Sequence, residues 1–176
     1  MWVTEDEIQE YIQIDVGGNI NLSNWILQGQ SLIEKYINRK IEADDYIEKY
    51  DGGGRFLFLR EYPVISVNYI KEDETDIDLD DVVIDKENGI ILYKEKDFNE
   101  GDYNIEVSYR AGYESVPDDL KRCLAWVVQK LIGISMRGVD LPKSQSVEGT
   151  NISWNQVEVF DNNILEVLDK YRKVRV

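Results

Sequence analysis

The sequence predicts an α+β protein, a helical bundle with an inserted small antiparallel β-region. Three observations carry this reading. Leu120, Cys123, Leu124, Val127, Val128, Leu131 and Ile132 recur at the spacing of one continuous apolar helix face. Tyr103, Ile105, Val107 and Tyr109 alternate with Asn104, Glu106, Ser108 and Arg110, the period of two of a strand with one buried side. Asn88-Gly89 lies between the apolar runs Val82–Ile84 and Ile90–Tyr93, the strongest short-range signal for a hairpin. With 176 residues, 43% of them hydrophobic, the chain can bury a core of its own, and we read 1–176 as one domain.

Thr4 with Glu7 makes a capping-box pattern that starts a helix over about 5–12, and Gly17-Gly18-Asn19 ends that segment. Asn21 or Ser23 caps a second helix, about 22–38, with Leu22, Ile26, Ile33 and Ile37 as its stripe. Gly29 on that stripe predicts close packing against another helix. Residues 41–54 read as a polar connection. Its Gly52-Gly53-Gly54 lacks both the Walker spacing and the GxGxxG spacing of a phosphate cradle, so a flexible turn is expected.

The β-region, about 55–110, opens with Arg55–Arg60, a strand with apolar residues on both faces. Val64–Ile70, the hairpin around Asn88-Gly89 and the strand from Tyr103 complete it. Gly112 frees the backbone for a positive φ. Ser115 with Asp118 resembles another capping box, and Pro117 suits a first helical turn. The third helix, about 118–136, is expected to pack its apolar face on the Tyr103–Tyr109 strand. Residues 133–150 read as a polar mobile loop, and 151–160 as an extended piece anchored by Ile152, Trp154 and Val157. Asp161 or Asn162 caps a last helix, about 161–172.

Composition removes several kinds of chemistry. There is no histidine, which excludes Ser-His-Asp and Cys-His catalysis in their usual forms and the commonest metal ligand. The one cysteine, Cys123, has no disulfide partner and sits on an apolar helix face, where a buried inert thiol is expected. No apolar run approaches the ~20 residues that span a bilayer, and the acidic N-terminus lacks a signal peptide's basic start. A cytoplasmic protein away from membranes is expected. Asp76-x-Asp78-x-Asp80 with Glu87 has part of an EF-hand spacing, but Asp81 replaces the turn glycine, and a solvated acidic loop is the better reading. The net charge of −15 opposes wrapping of nucleic acid yet permits a passage along which DNA slides without sticking. Against that charge, four basic residues in Lys170–Val176 stand out, either complementing a helix C-terminus or docking on an acidic partner.

Five segments, in this order and spacing, resemble the head-tail connector (adaptor, or head-completion) proteins of tailed bacteriophages and prophages. They are Thr4–Ile14, Ile33–Arg39, Leu57–Val67, Val107–Tyr113 leading into Val116–Lys121, and the ending Leu168–Arg175. The resemblance implies a structural virion protein with no catalytic residue, no metal and no cofactor. Such proteins form a homo-oligomeric ring, typically a dodecamer, below the portal protein in the neck of the virion, after assembly in the host cytoplasm. The ring extends the DNA channel, passes DNA without specific binding, and offers a surface to a downstream neck or tail-completion protein. Portal docking is implied for Tyr171, Arg172, Lys173 and Arg175.

Two other readings compete. An acidic DNA-mimic inhibitor predicts a small monomer or dimer with a basic partner. A carboxylate-dependent hydrolase with a divalent metal predicts a cleft holding two or more acids with shifted pKa values.

Overall fold

A computed structural model describes residues 2–12, 21–136, 145–147, 150–152 and 159–173. The chain divides into two compact units. Lys40–Ser115 form a β unit; Met1–Arg39 and Val116–Val176 form a helical unit.

The β unit holds seven strands: β1 (Asp44–Tyr50), β2 (Phe56–Phe58), β3 (Val64–Glu72), β4 (Thr75–Ile77), β5 (Val82–Asp85), β6 (Ile90–Tyr93) and β7 (Ile105–Ala111). A four-stranded sheet runs β1-β7-β3-β4 and a three-stranded sheet runs β2-β6-β5, with all neighbours antiparallel. Leu57, Ile70, Ile91, Ile105, Val107 and Tyr109 belong to the core of this unit. The alternation read at 105–109 holds because β7 is central, with β1 on one side and β3 on the other. The Asn88-Gly89 hairpin joins β5 to β6, with Gly89 at φ 66°.

Three local expectations change. Residues 44–50 are a strand, not part of a polar connection. Its sequence, DDYIEKY, alternates poorly by hydrophobicity because it is an edge strand of its sheet, with only Tyr50 fully buried. Tyr103 lies outside β7 in a left-handed conformation, φ 53°, held by its amide bond to Asp51 Oδ1 at 2.7 Å. The acidic stretch is not merely a loop. Asp73 and Glu74, both at positive φ, form the two-residue connection between β3 and β4, as in a type I′ hairpin. Asp78 then caps a 3₁₀ turn, Leu79–Asp81.

The glycine triplet is a packed joint. The Gly52 amide donates to Gly101 O (3.0 Å) and Asn104 Oδ1 (2.9 Å), and the Gly53 amide to Phe98 O (3.0 Å). Those amides are spent on the neighbouring loop, so they form no cradle for phosphate.

The helical unit holds α1 (Glu5–Tyr11), α2 (Leu22–Ile37), α3 (Asp118–Met136) and α4 (Asn162–Asp169), and a hairpin of β8 (Gln145–Val147) and β9 (Thr150–Ile152). α3 reaches Met136 as expected, and a hairpin forms within the stretch read as loop; Trp154 and Val157 lie outside the described residues. The Thr4–Glu7 capping box closes as read, with Thr4 N donating to Glu7 Oε2 at 2.8 Å. Asn21 caps α2 and Asp161 caps α4. At α3 the cap differs. Pro117 O takes the first helical bond, from Lys121, and the Leu120 amide is met by Asp119 Oδ1 rather than by Ser115.

The apolar face of α3 packs on α2 and α4 within the helical unit, and β7 contributes to the core of the β unit. Gly29 marks the α2–α3 crossing. A Cβ there would lie 2.8 Å from Leu124 Cδ1, which explains a glycine in mid-helix.

These findings correct the expected helical bundle with an inserted small β-region. The described residues form four α-helices and two principal antiparallel sheets, and the sheets have a core and a compact unit of their own. The architecture is mixed α+β. Hydrophobic periodicity understates the β part because β1 and β4 are polar edge strands.

Among the described residues, no helix is long and apolar enough to cross a membrane.

Candidate assembly surfaces

The basic C-terminal segment follows α4, which Asp161 starts. Asp161 Oδ1 accepts from the Ile164 amide at 3.0 Å, and Oδ2 from Lys130 Nζ at 2.8 Å. These bonds, led by that from Lys130, hold the Asp161 carboxyl below the usual carboxylate range. With α4 so placed against α3, the chain turns after Asp169 and returns across α2.

Three of the four residues implied in docking are placed there. The Tyr171 hydroxyl donates to Asp119 Oδ1 at 2.8 Å, tying the end of the chain to the start of α3. The Arg172 guanidinium lies 5.3 Å from the centre of the Tyr36 ring and 3.9 Å from Asp169 Oδ1, and the residue stays exposed. The Lys173 amide donates to Ile37 O at 2.8 Å, capping the end of α2. Arg175 lies outside the described residues. Tyr36 completes the cluster. Its hydroxyl donates to Asp169 Oδ1 at 2.8 Å and its ring packs, tilted by 56°, against Phe160 with centroids 5.5 Å apart. The bond to Asp169 is the first cause of its raised pKa.

Sequence reading did not find Tyr36, Asp119 or Asp169 as partners of this segment. Tyr36 lies off the apolar stripe of α2, and nothing local marks the other two.

Charge is divided unevenly between the units. The β unit, with 21 acidic and nine basic residues, carries −12, and the helical unit, with 14 acidic and 11 basic, carries −3. The acidic run of 72–81 lies wholly in the β unit. Glu72 is buried and accepts from Asn99 N (2.7 Å) and Nδ2 (3.0 Å), which fixes the loop before β7. Asp78 spends Oδ1 on the Asp80 amide. No group of three or more His, Cys, Asp or Glu is placed to hold a metal ion among the described residues.

A second surface lies on the three-stranded sheet. Phe56 and Phe58 are exposed on β2 while Leu57 between them is buried. Apolar residues on both faces were legible in RFLFLR; which face stays open was not.

Comparison with known proteins agrees with this architecture. A family model described as head completion protein matches residues 2–174. No curated protein matches the chain. Among solved structures, a chain from the neck of a native GTA particle computed with C12 symmetry is similar at 13% identity and TM-score 0.58, over 97% of this chain and 88% of that one. A chain from the neck of an empty GTA particle computed with C6 symmetry matches at 13% identity and TM-score 0.63, over 99% and 91%. A chain of the virion of a native gene transfer agent particle matches at 12% identity and TM-score 0.60, again over 99% and 91%. At these identities the likeness is one of fold. The family match runs through both units and ends among the clasped C-terminal residues; the chain belongs to the head completion protein family, and it is a structural head–tail connector protein of the virion.

Proposed function

We propose that copies of this protein form a ring below the portal protein of a tailed phage or prophage, in the neck of the virion. The ring, a dodecamer in the assembled particle, extends the DNA channel and gives a downstream neck or tail-completion protein its seat. The observation that carries this reading is the family match over residues 2–174. The fold shared with neck chains of particles computed with C12 and C6 symmetry supports the ring.

The charge distribution suits passage of DNA. A β unit at −12 repels phosphate, so DNA moves past it without being held. Portal docking is assigned to Tyr171, Arg172, Lys173 and Arg175. The Tyr36 ring and Asp169 hold Arg172 in one orientation while leaving it exposed, so little side-chain freedom remains to be lost when an acidic portal surface binds it. No reaction is assigned to the protein.

The test is to mix the purified protein with the portal of the same phage and measure the mass of the product by light scattering after size exclusion. A discrete complex of portal with a ring is expected, weakened at least tenfold by Arg172→Ala with Lys173→Ala. A protein that stays separate from portal at every concentration overturns the proposal.

A further inference from the structure

Beyond α4 the backbone is held only by short turns. Lys170 N bonds Val167 O (3.2 Å), Tyr171 N bonds Leu168 O (3.0 Å) and Arg172 N bonds Asp169 O (3.4 Å), each reaching back three residues. Such turns near a chain end fray unless something else ties them down. Here each of three consecutive residues has a tie of its own. Tyr171 bonds Asp119 on α3, Arg172 lies over the Tyr36 ring on α2, and the Lys173 amide bonds the Ile37 carbonyl that ends α2. Tyr171 and Lys173 are half-buried while Arg172 between them is exposed.

Asp119 makes the first of these ties. It stands in the first turn of α3, where the helix dipole favours a carboxylate. Its Oδ1 accepts from the Leu120 amide at 2.9 Å and from the Tyr171 hydroxyl at 2.8 Å. The carboxylate is therefore oriented by its own helix, and the tyrosine 52 residues away is drawn to a fixed acceptor.

We infer that Asp119 is a positioning residue for portal docking: through the Tyr171 hydroxyl it fixes the backbone from which Arg172 projects, and Arg172 makes the contact. This rests on the docking reading above and divides the roles within it. Tyr171 spends its hydroxyl inside the helical unit and anchors the segment; Arg172 faces outward and meets the partner. Tyr36 and Asp169 orient the guanidinium, but they cannot hold the backbone that carries it. Without the tie to Asp119 the segment keeps every charge it has, yet docking must then order a looser chain, and affinity falls.

Variants of the full chain test this by titration against purified portal, with circular dichroism and thermal melting to check that each folds. Tyr171→Phe and Asp119→Ala are each expected to weaken binding about fivefold, the size of one hydrogen bond to a carboxylate. Together they should weaken it no further, because both remove the same tie. Asp119→Asn keeps an acceptor oxygen and should bind within about twofold of the wild type. In an Arg172→Ala background, Tyr171→Phe should cost nothing more, a dependence that a purely structural tie would not show. Wild-type affinity in Tyr171→Phe and Asp119→Ala, or an equal loss with and without Arg172, would overturn the positioning role and leave the docking reading intact. A wild type that does not bind portal would overturn both.

Discussion

The hydroxyl of Tyr109 on β7 donates a 2.6 Å hydrogen bond to the carboxylate of Glu48 on β1. Tyr50 donates to the same carboxylate oxygen. Both hydroxyls also accept from the chain after β2: the Arg60 amide reaches Tyr50 at 3.1 Å and the Glu61 amide reaches Tyr109 at 3.2 Å. Arg60 lies 3.7 Å from Glu48 and 4.9 Å from the centre of the Tyr50 ring. One carboxylate on an edge strand thus organises where the chain leaves the small sheet.

Tyr109→Phe removes a donor to a carboxylate and leaves the Glu61 amide without its acceptor. A loss of about 1–3 kcal/mol is expected, read from urea unfolding with an unchanged slope. A loss below the error of the extrapolation would show that the network adds no net stability.

The same network sets an alkaline limit. Burial, then the bond to Glu48, raises the pKa of Tyr50 and Tyr109 above the usual tyrosine value of about 10. Folded tyrosines keep protons that unfolded ones release above that pH. Stability is therefore fully present below about pH 10 and falls as pH rises beyond it. Unfolding midpoints between pH 9 and about 11.5 should decline, and more shallowly in Tyr109→Phe. Equal slopes would argue against a shifted Tyr109.

Gly52→Ala should be costly and Gly54→Ala nearly silent. A Cβ on Gly52 would lie 2.0 Å from Asn99 O, whereas the nearest atom to one on Gly54 is 4.0 Å away. Forcing the joint apart costs about 3 kcal/mol, against about 0.5 kcal/mol or less at an open surface position. Thermal melts of the two variants side by side decide it.

Asp161 contributes through its charge on the acid side. Its folded pKa is lowered, first by Lys130, so its contribution is present above the unfolded value of about 4 and lost as pH falls through the folded one. Asp161→Asn keeps a capping oxygen but cannot titrate. Its stability profile from pH 6 to pH 3 should be flatter than that of the wild type. Asp161→Ala also loses the cap, at about 1 kcal/mol at any pH.

Cys123 should resist alkylation in the folded protein. It is fully buried, and burial pushes its thiol up to about 11. Iodoacetamide at pH 8 should label it only as fast as the protein unfolds; rapid labelling would place it on an open surface.

Features set within a few residues follow from the order of amino acids alone. The Thr4–Glu7 box, the caps at Asn21 and Asp161, the Asn88-Gly89 hairpin and the buried stripe of α3 all form, because each depends on bonds or periodicities shorter than two helical turns. The resemblance to connector proteins was legible for the same reason, as an ordered set of short motifs. Which elements partner one another emerges in the folded chain. The polar stretch 44–50 becomes a strand because β7 offers it a ladder. Gly52 leaves no room for a Cβ because a loop from 98–104 presses on it. The C-terminal segment finds its aromatic and acidic partners in Tyr36, bonded to Asp169 across 133 residues, and in Asp119, bonded to Tyr171 across 52. Such contacts are chosen by which surfaces remain after local elements form and collapse, and no local pattern of hydrophobicity encodes that choice.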